Sequence, residues 1–374
     1  MRLLLVTDVW KPKIDGVIIR IGNVIEHLEK LGVTVQLVGP QHFRNHPIPG
    51  YAPARFVLPP VERALARHID AFDPDAIHII TEGFLGIAAR NLALRRGGRF
   101  TTSYTTQSPE YCKINFGIPL WFSYAIMRWF HRRSATVLSA KGDLIQRLEA
   151  RGLRNLKATT MGVDTELFHP KKDGLFGNLE KPVCLFVGRV AREKNLPAFL
   201  SLDVPGTKVV VGEGPQRKEL EAQFPDTLFL GQKLGEDLAR CYASADLFVF
   251  PSRTDVLANV LREAAASGLP IAAFPVQGPK EFVIEGVTGA MSENLEEAIR
   301  LALPLSPVSC RREAEKLSWE KAAIDFAAAQ VPFLPEKAQA FKRTLARLES
   351  LRDINAVESS CDGYRSPRRR REAF

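Results

Sequence analysis

Two cations five residues apart, Arg189 and Lys194, directly follow an apolar strand pattern at 183–187. A guanidinium offers a planar fork and an ammonium a point charge, so the pair suits one diphosphate and its departing charge, in place of a divalent metal. A solvated basic loop is the other reading of that stretch. Further along, Asp255 sits on a loop and Glu263 lies eight positions later, inside the helix pattern 259–266. Carboxylates accept hydrogen bonds from sugar and ribose hydroxyls, while the free N–H groups at a helix start attract phosphate. Gly16 sets an unhindered amide at the head of the first helix pattern, where an anion binds well, or serves only a tight turn. Gly214, in Val211-Gly-Glu-Gly214-Pro215, marks a strand-to-helix turn of a kind frequent in α/β folds.

These residues need elements to hold them. An apolar strand at 3–8 precedes a helical stripe of Val17, Ile21, Val24, Ile25, Leu28 and Leu31, ended by Gly32. Strands at 35–38, 76–80 and 100–104 and a helix at 84–94 continue the alternation. A polar, turn-rich stretch, Phe168-His-Pro-Lys-Lys-Asp-Gly174, then interrupts it. The alternation resumes with strands at 183–187, 208–211, 247–250 and 271–274 and helices at 217–224, 234–245 and 259–266. Strands separated by helices of this length imply parallel βαβ units, hence two Rossmann-like doubly wound domains facing a cleft. The expected boundaries are 1–170, 171–335 and a charged C-terminal tail over 336–374, where a short helix pattern precedes the run Arg368–Arg371. In open α/β sheets ligands bind beyond the carboxyl ends of the strands, where the loops carrying Gly16, Arg189, Gly214 and Asp255 lie.

Composition narrows the class. With 374 residues, 45% apolar and 25% charged, the chain suits two globular domains. Its five cysteines are scattered and never in C-x-x-C spacing, which suggests neither a disulfide framework nor a zinc site and fits a reducing cytosol. The seven histidines lack metal-ligand spacing. Asp73-Pro-Asp75 copies the letters of a D-x-D metal motif but precedes a strand and reads as a turn. No apolar run approaches the ~18–20 residues that span a bilayer. The whole net charge of +9 sits in residues 1–165. There the segment 116–133, with Phe116, Trp121, Phe122 and Trp129 and trailing arginines, fits an anionic membrane surface. The other reading makes it a core helix with Trp121 and Phe122 inside. The arginine run reads as a solvated tail, and no nucleic-acid partner is expected.

Taken in order, Thr7-Asp-Val-Trp-Lys-Pro12 with Asp15-Gly-Val17, Gly162-Val-Asp-Thr-Glu-Leu-Phe168, Gly188-Arg189 with Glu193-Lys194-Asn195, Val211-Gly-Glu-Gly-Pro215 and the acids Asp255 and Glu263 resemble family 4 glycosyltransferases. These are retaining enzymes of GT-B architecture, and the likeness covers about residues 1–330. It is nearest the bacterial branch with mannosyltransferases and lipid glucosyltransferases. The resemblance implies a metal-independent hexosyltransferase with no cofactor beyond its co-substrate, a nucleotide-diphosphate sugar such as GDP-mannose or a UDP-hexose. A lipid or glycan acceptor at the cytoplasmic membrane face is implied with it.

Residue by residue, Gly16 and Gly188 then approach the donor phosphates, Arg189 and Lys194 hold the pyrophosphate, Gly214 lines the nucleotide site, Glu263 binds the ribose and Asp255 contacts the sugar. The segment Trp319–Phe326 crosses back to brace the first domain. In this family the leaving phosphate is thought to take the acceptor proton, so no side-chain base is required. Two positions depart from the pattern. Thr105, in Ser103-Tyr-Thr-Thr106, stands where the family has His, and Leu257-Ala258 stands where it has Phe-Gly beside the phosphate. A nucleotide-sugar-binding paralogue of weakened activity and a sugar-nucleotide epimerase of the same architecture are the alternatives.

Overall fold

In the computed structural model, the backbone is described for residues 1–361 except 12–15, 49–50, 141, 172–174 and 256–257; side chains at 48, 51–54, 115 and 352–361 lie outside the description. The first half contains β1 (Arg2–Val6), α1 (Gly16–Lys30), β2 (Thr34–Val38), β3 (Asn45–Ile48), β4 (Tyr51–Val57), α2 (Glu62–Phe72), β5 (Ala76–Ile79) and α3 (Phe84–Arg95). It continues through β6 (Thr101–Tyr104), α4 (Ser108–Phe116), α5 (Leu120–His131), β7 (Thr136–Ser139), α6 (Asp143–Ala150) and β8 (Leu156–Ala158). The second half follows with β9 (Val183–Val187), α7 (Pro197–Leu200), β10 (Thr207–Val211), α8 (Arg217–Gln223), β11 (Leu228–Phe229), α9 (Gly235–Ser244), β12 (Leu247–Phe250) and α10 (Asn259–Ala266). It ends with β13 (Ile271–Ala273), α11 (Gln277–Lys280), β14 (Gly289–Met291), α12 (Leu295–Ala302), α13 (Pro307–Glu315), α14 (Trp319–Ala328) and α15 (Ala338–Cys361).

Two six-stranded sheets result, ordered β2-β1-β5-β6-β7-β8 and β11-β10-β9-β12-β13-β14, with β3 and β4 as a separate antiparallel ribbon. Every pairing within the two large sheets is parallel. Strands covered on both faces read as unbroken apolar runs, and Leu3–Val6 and Val183–Phe186 are accordingly buried. Leu3 and Leu5 face Ile21, Val24 and Leu28 of α1, while Leu4 and Val6 face Leu65 and Ile69 of α2 and Leu85 of α3. In the second sheet Leu185 faces Tyr242, Leu261 and Cys310, and Phe186 faces Phe199, Leu220 and Ile299.

The chain closes on the first sheet. Ser318 starts α14 by accepting from the Glu320 and Lys321 amides, and Trp319, Ala323 and Phe326 then enter the core that holds Leu3, Leu5 and Ile21. The crossing is close, because a Cβ on Gly162 would lie 2.4 Å from the Trp319 nitrogen. Past residue 336 the expectation of a charged tail gives way to α15, a helix of 24 residues. Its Phe341 and Leu348 are buried in that same core, and Arg347 donates to the Leu31 carbonyl at 2.6 Å. Residues 362–374, with the arginine run, lie outside the described residues.

One expectation is corrected by packing. Trp121 and Phe122 are 73% and 46% exposed, because Tyr124, Met127 and Phe130 take the inward face of α5. His78, one of the histidines without a metal partner, is fully buried between Thr101 Oγ1 and Ser103 Oγ, each at 2.8 Å, and burial holds it neutral with a pKa of about 3. Asp73 is a turn residue as expected: it ends α2 in the left-handed region at φ 44°, and Asp75 accepts from the Arg2 amide at 2.7 Å.

Candidate active site

Both sheets change winding direction next to their first strand, between β1 and β5 and between β9 and β12. The loops leaving these strands diverge there and open a crevice. The two crevices meet. Asn259 Nδ2, at the start of α10, donates to the Gly16 carbonyl at the start of α1 at 3.3 Å, and Lys280 pairs with Asp143 across the same seam at 3.6 Å. Two helix N-termini thus converge, each carrying about half a positive charge on its free amides.

On the first side Asp8 holds the β1 loop in place. Its carboxylate accepts from Thr81 Oγ1 at 2.8 Å and from the Leu85 and Gly86 amides at 2.7 and 3.2 Å, capping α3 from another part of the chain. Burial raises its pKa, and these hydrogen bonds oppose the rise. Thr105, half-buried, follows β6 on the same edge.

On the second side Arg189 and Lys194 leave β9 together. Arg189 Nη1 lies 3.3 Å from Glu193 Oε1, and Lys194 Nζ reaches both oxygens of Asp255, at 2.6 and 2.7 Å. The cation and the acid assigned to different parts of a donor are therefore partners of each other here, each about a quarter exposed. Glu263 faces inward from α10, where Tyr242 OH donates to its Oε2 at 3.0 Å. Burial pushes the Glu263 carboxyl up to about 7, against the Tyr242 hydrogen bond, which pulls it down. Ala258, 7% exposed, caps α10, while Leu257 and Asp15 lie outside the described residues.

Gly188 and Gly214 bring two loops into contact. The Val190 amide donates to the Glu213 carbonyl at 2.9 Å and the Gly188 amide to Val211 at 3.0 Å. A Cβ on Gly214 would lie 2.2 Å from the Val190 carbonyl oxygen, and its three nearest atoms would all be Val190 backbone. Gly214→Ala is therefore expected to destabilise the protein by about 1–3 kcal/mol, the usual cost of overpacking, and to weaken nucleotide binding by displacing Arg189. Urea unfolding checks this, and an unchanged midpoint would refute the close approach.

Sequence reasoning passed over Asp8 as a capping residue and Tyr242 and Asn259 as partners, since their roles arise from contacts between distant segments. It also passed over Arg20 and Arg262, charged residues on otherwise apolar helix faces, a break in the stripe that was legible. A recess of about 310 Å³, lined by Trp10, Lys11, Gln41 and Arg55 among others, opens beside the β1 loop.

Comparison with known proteins agrees with this fold. The family described as "Glycosyltransferase Family 4" matches residues 14–167, and "Glycosyl transferases group 1" matches residues 181–303. The GDP-mannose-dependent alpha-mannosyltransferase of Mycobacterium tuberculosis (strain CDC 1551 / Oshkosh) is 29% identical over 324 residues, covering 78% of this chain and 83% of that one. Sulfoquinovosyl transferase SQD2 of Arabidopsis thaliana is 28% identical, covering 81% and 68%. Among solved structures, a sucrose-phosphate synthase from Thermosynechococcus elongatus superposes with a TM-score of 0.73 at 19% identity, covering 87% of this chain and 97% of the other, and so shares its fold. The architecture is GT-B, and the protein is a glycosyltransferase that uses a nucleotide sugar. The chain belongs to glycosyltransferase family 4.

Proposed function

We propose that the protein transfers a hexose, with retention and without a metal, from a nucleotide-diphosphate hexose to a lipid or glycan acceptor at an anionic membrane surface. The observation that carries the reading is the meeting of two switch points that gathers Gly16, Arg189, Lys194, Asp255 and Glu263. The donor binds mainly to the second half, with its ribose on Glu263 and its diphosphate beside Arg189, Lys194 and the start of α10. Diphosphate draws Lys194 away from Asp255, which frees that carboxylate for a sugar hydroxyl. As the bond to the diphosphate breaks, charge grows on the leaving oxygens and the fixed cations stabilise it. Closure of the two halves excludes water, which would otherwise intercept the sugar cation. The similarity to a mannosyltransferase named for GDP-mannose supports a GDP- or UDP-hexose donor.

The acceptor reading rests on the recess by Trp10 and on the outer face of α4 and α5. There Phe116, Trp121 and Ile126 are 69%, 73% and 41% exposed, and Lys113, Arg128, Arg132 and Arg133 are exposed with them. Aromatic side chains beside cations suit an anionic bilayer interface. Among the described residues no helix is long and apolar enough to cross a membrane. The test supplies labelled GDP- and UDP-hexoses with anionic vesicles, neutral vesicles or soluble glycans, with and without EDTA. Transfer should need no metal, and Phe116→Ala with Trp121→Ala should reduce sedimentation with anionic vesicles about tenfold. A protein that binds a nucleotide sugar but transfers it to none of these acceptors is a binding protein, and vesicle binding indifferent to the two aromatics refutes the membrane face.

A further inference from the structure

Arg20 and Arg262 lie on opposite sides of the seam, each about one turn into its helix. They are 2% and 4% exposed, and the contact between Asn259 and Gly16 brings their helices together. Arg20 makes one hydrogen bond, from Nη2 to Thr159 Oγ1 at 2.5 Å, and Arg262 Nη1 donates to the Ala258 carbonyl at 3.2 Å. Nε and Nη1 of Arg20 and Nε of Arg262 are buried without a hydrogen-bond partner. Burial, reinforced for Arg20 by the charge of Arg262, lowers both guanidinium groups to about 10. At that value both stay charged at neutral pH. The nearby carboxylate is Glu281, 9% exposed, which eases Arg262 and is shared with Gln277 Nε2 at 3.1 Å.

Two like charges buried on the two sides of one seam, with Glu281 beside Arg262 and three nitrogens without a hydrogen bond among the described residues, are costly, and removing such a charge for an apolar side chain of similar volume often stabilises a fold. A role outside stability accounts for the pair. Guanidinium forks match planar or tetrahedral oxyanions with two hydrogen bonds each, and the two converging helix N-termini add positive potential. We propose that Arg20 and Arg262 form a second anion site, separate from Arg189 and Lys194, that takes a compact oxyanion group (phosphate, sulfonate or carboxylate) and draws the two halves together around it. The group is either a free ion or an acidic substituent of the substrate. The inference concerns binding alone and holds or fails without reference to transfer.

The experiment measures thermal stability and ligand affinity of the full chain, Arg20→Met, Arg262→Met and Lys194→Gln, with inorganic phosphate, UDP-glucose and UDP-glucuronate. Sodium chloride at matched ionic strength removes general screening. Phosphate should stabilise the native chain and Lys194→Gln, and fail to stabilise either methionine variant, which without ligand should melt no lower than the native chain. If the anion belongs to the substrate, UDP-glucuronate binds at least tenfold tighter than UDP-glucose, and the advantage disappears in both methionine variants. If the anion is free, the two nucleotide sugars bind alike and only the phosphate effect depends on the arginines. Methionine variants that melt lower and keep every ligand response overturn the proposal and make the arginines structural. Should Arg20→Met not fold, Arg262→Met carries the same comparison.

Discussion

Lys194→Ala is expected to lower kcat by about 10²–10³-fold while leaving the fold intact, and Arg189→Ala to do nearly the same. The figure is that for removing one fixed donor from a developing anion in a water-poor site. The fold should survive because both side chains are partly exposed at the seam and outside the two cores of the second half. Lys194 and Asp255 are bonded at 2.6 and 2.7 Å, so their effects are coupled. Lys194→Ala alone leaves Asp255 facing the diphosphate uncompensated, and Asp255→Asn alone leaves Lys194 without its partner. The double variant should therefore lose less than the product of the single losses, the signature of residues acting as a unit. Steady-state kinetics on the native chain, the three single variants and the double variant with a nucleotide hexose checks this, with EDTA present throughout. Rates near native in both alanine variants, or activity abolished by EDTA, would refute the assignment of the leaving charge to these cations.

Glu263→Gln should weaken nucleoside diphosphate binding about 10–100-fold, whereas Asp255→Asn should mainly slow transfer. The difference follows from position. Glu263 lies within α10, where Tyr242 OH donates to it, while Asp255 precedes the helix; under the proposed function the first meets the ribose and the second the sugar. A charge-assisted hydrogen bond is worth about 1.5–3 kcal/mol, which sets the size of the first effect.

The pH dependence has a definite sign. Burial raises Glu263 from 4.5 to about 7, so in the free protein a large share of the carboxyl is still protonated near neutrality. Ribose hydroxyls donate to the ionised form, and binding must then release a proton below that pH. Affinity should rise as pH passes from about 6 to 8 and level off above, and Glu263→Gln should flatten the rise. For the unliganded fold the sign is opposite. This group's contribution to stability is fully present below about 4.5 and is lost as pH rises through about 7. Calorimetric titration with the nucleoside diphosphate at several pH values tests the division, and equal loss of affinity in both variants would count against it.

How much of this was legible beforehand varied with the kind of signal. β9, β12 and α10 lie within the ranges read from apolar runs and helical spacing, because strands covered on both faces leave an unbroken apolar run and one-sided helices leave a period, which single residues cannot hide. The ribbon of β3 and β4 has no clear signature in the sequence. It stands apart from the sheets, and its Pro47 and Pro53 break the alternation that marks a strand. The face of α5 is open in the sequence because an aromatic-rich helix has the same letters whether it meets a core or a lipid surface, and only the neighbours decide. The last helix reads as a short pattern before a tail, since its apolar residues form no strong one-sided stripe and its helicity depends on docking against α14.

The sequence by itself determined the two βαβ halves and the residue types at their strand ends, because periodicity and loop position are local properties. It also determined the family, because order and spacing of several motifs together are specific. Tertiary structure alone decided that Lys194 pairs with Asp255, that Asp8 caps α3, and that Asn259 meets Gly16 across the seam. Those contacts join segments 61, 77 and 243 positions apart, whose distance in space depends on how two sheets twist and face each other. It decided Glu263's pKa for the same reason, since a carboxylate's proton affinity is set by what surrounds it and no neighbour in the chain carries that information.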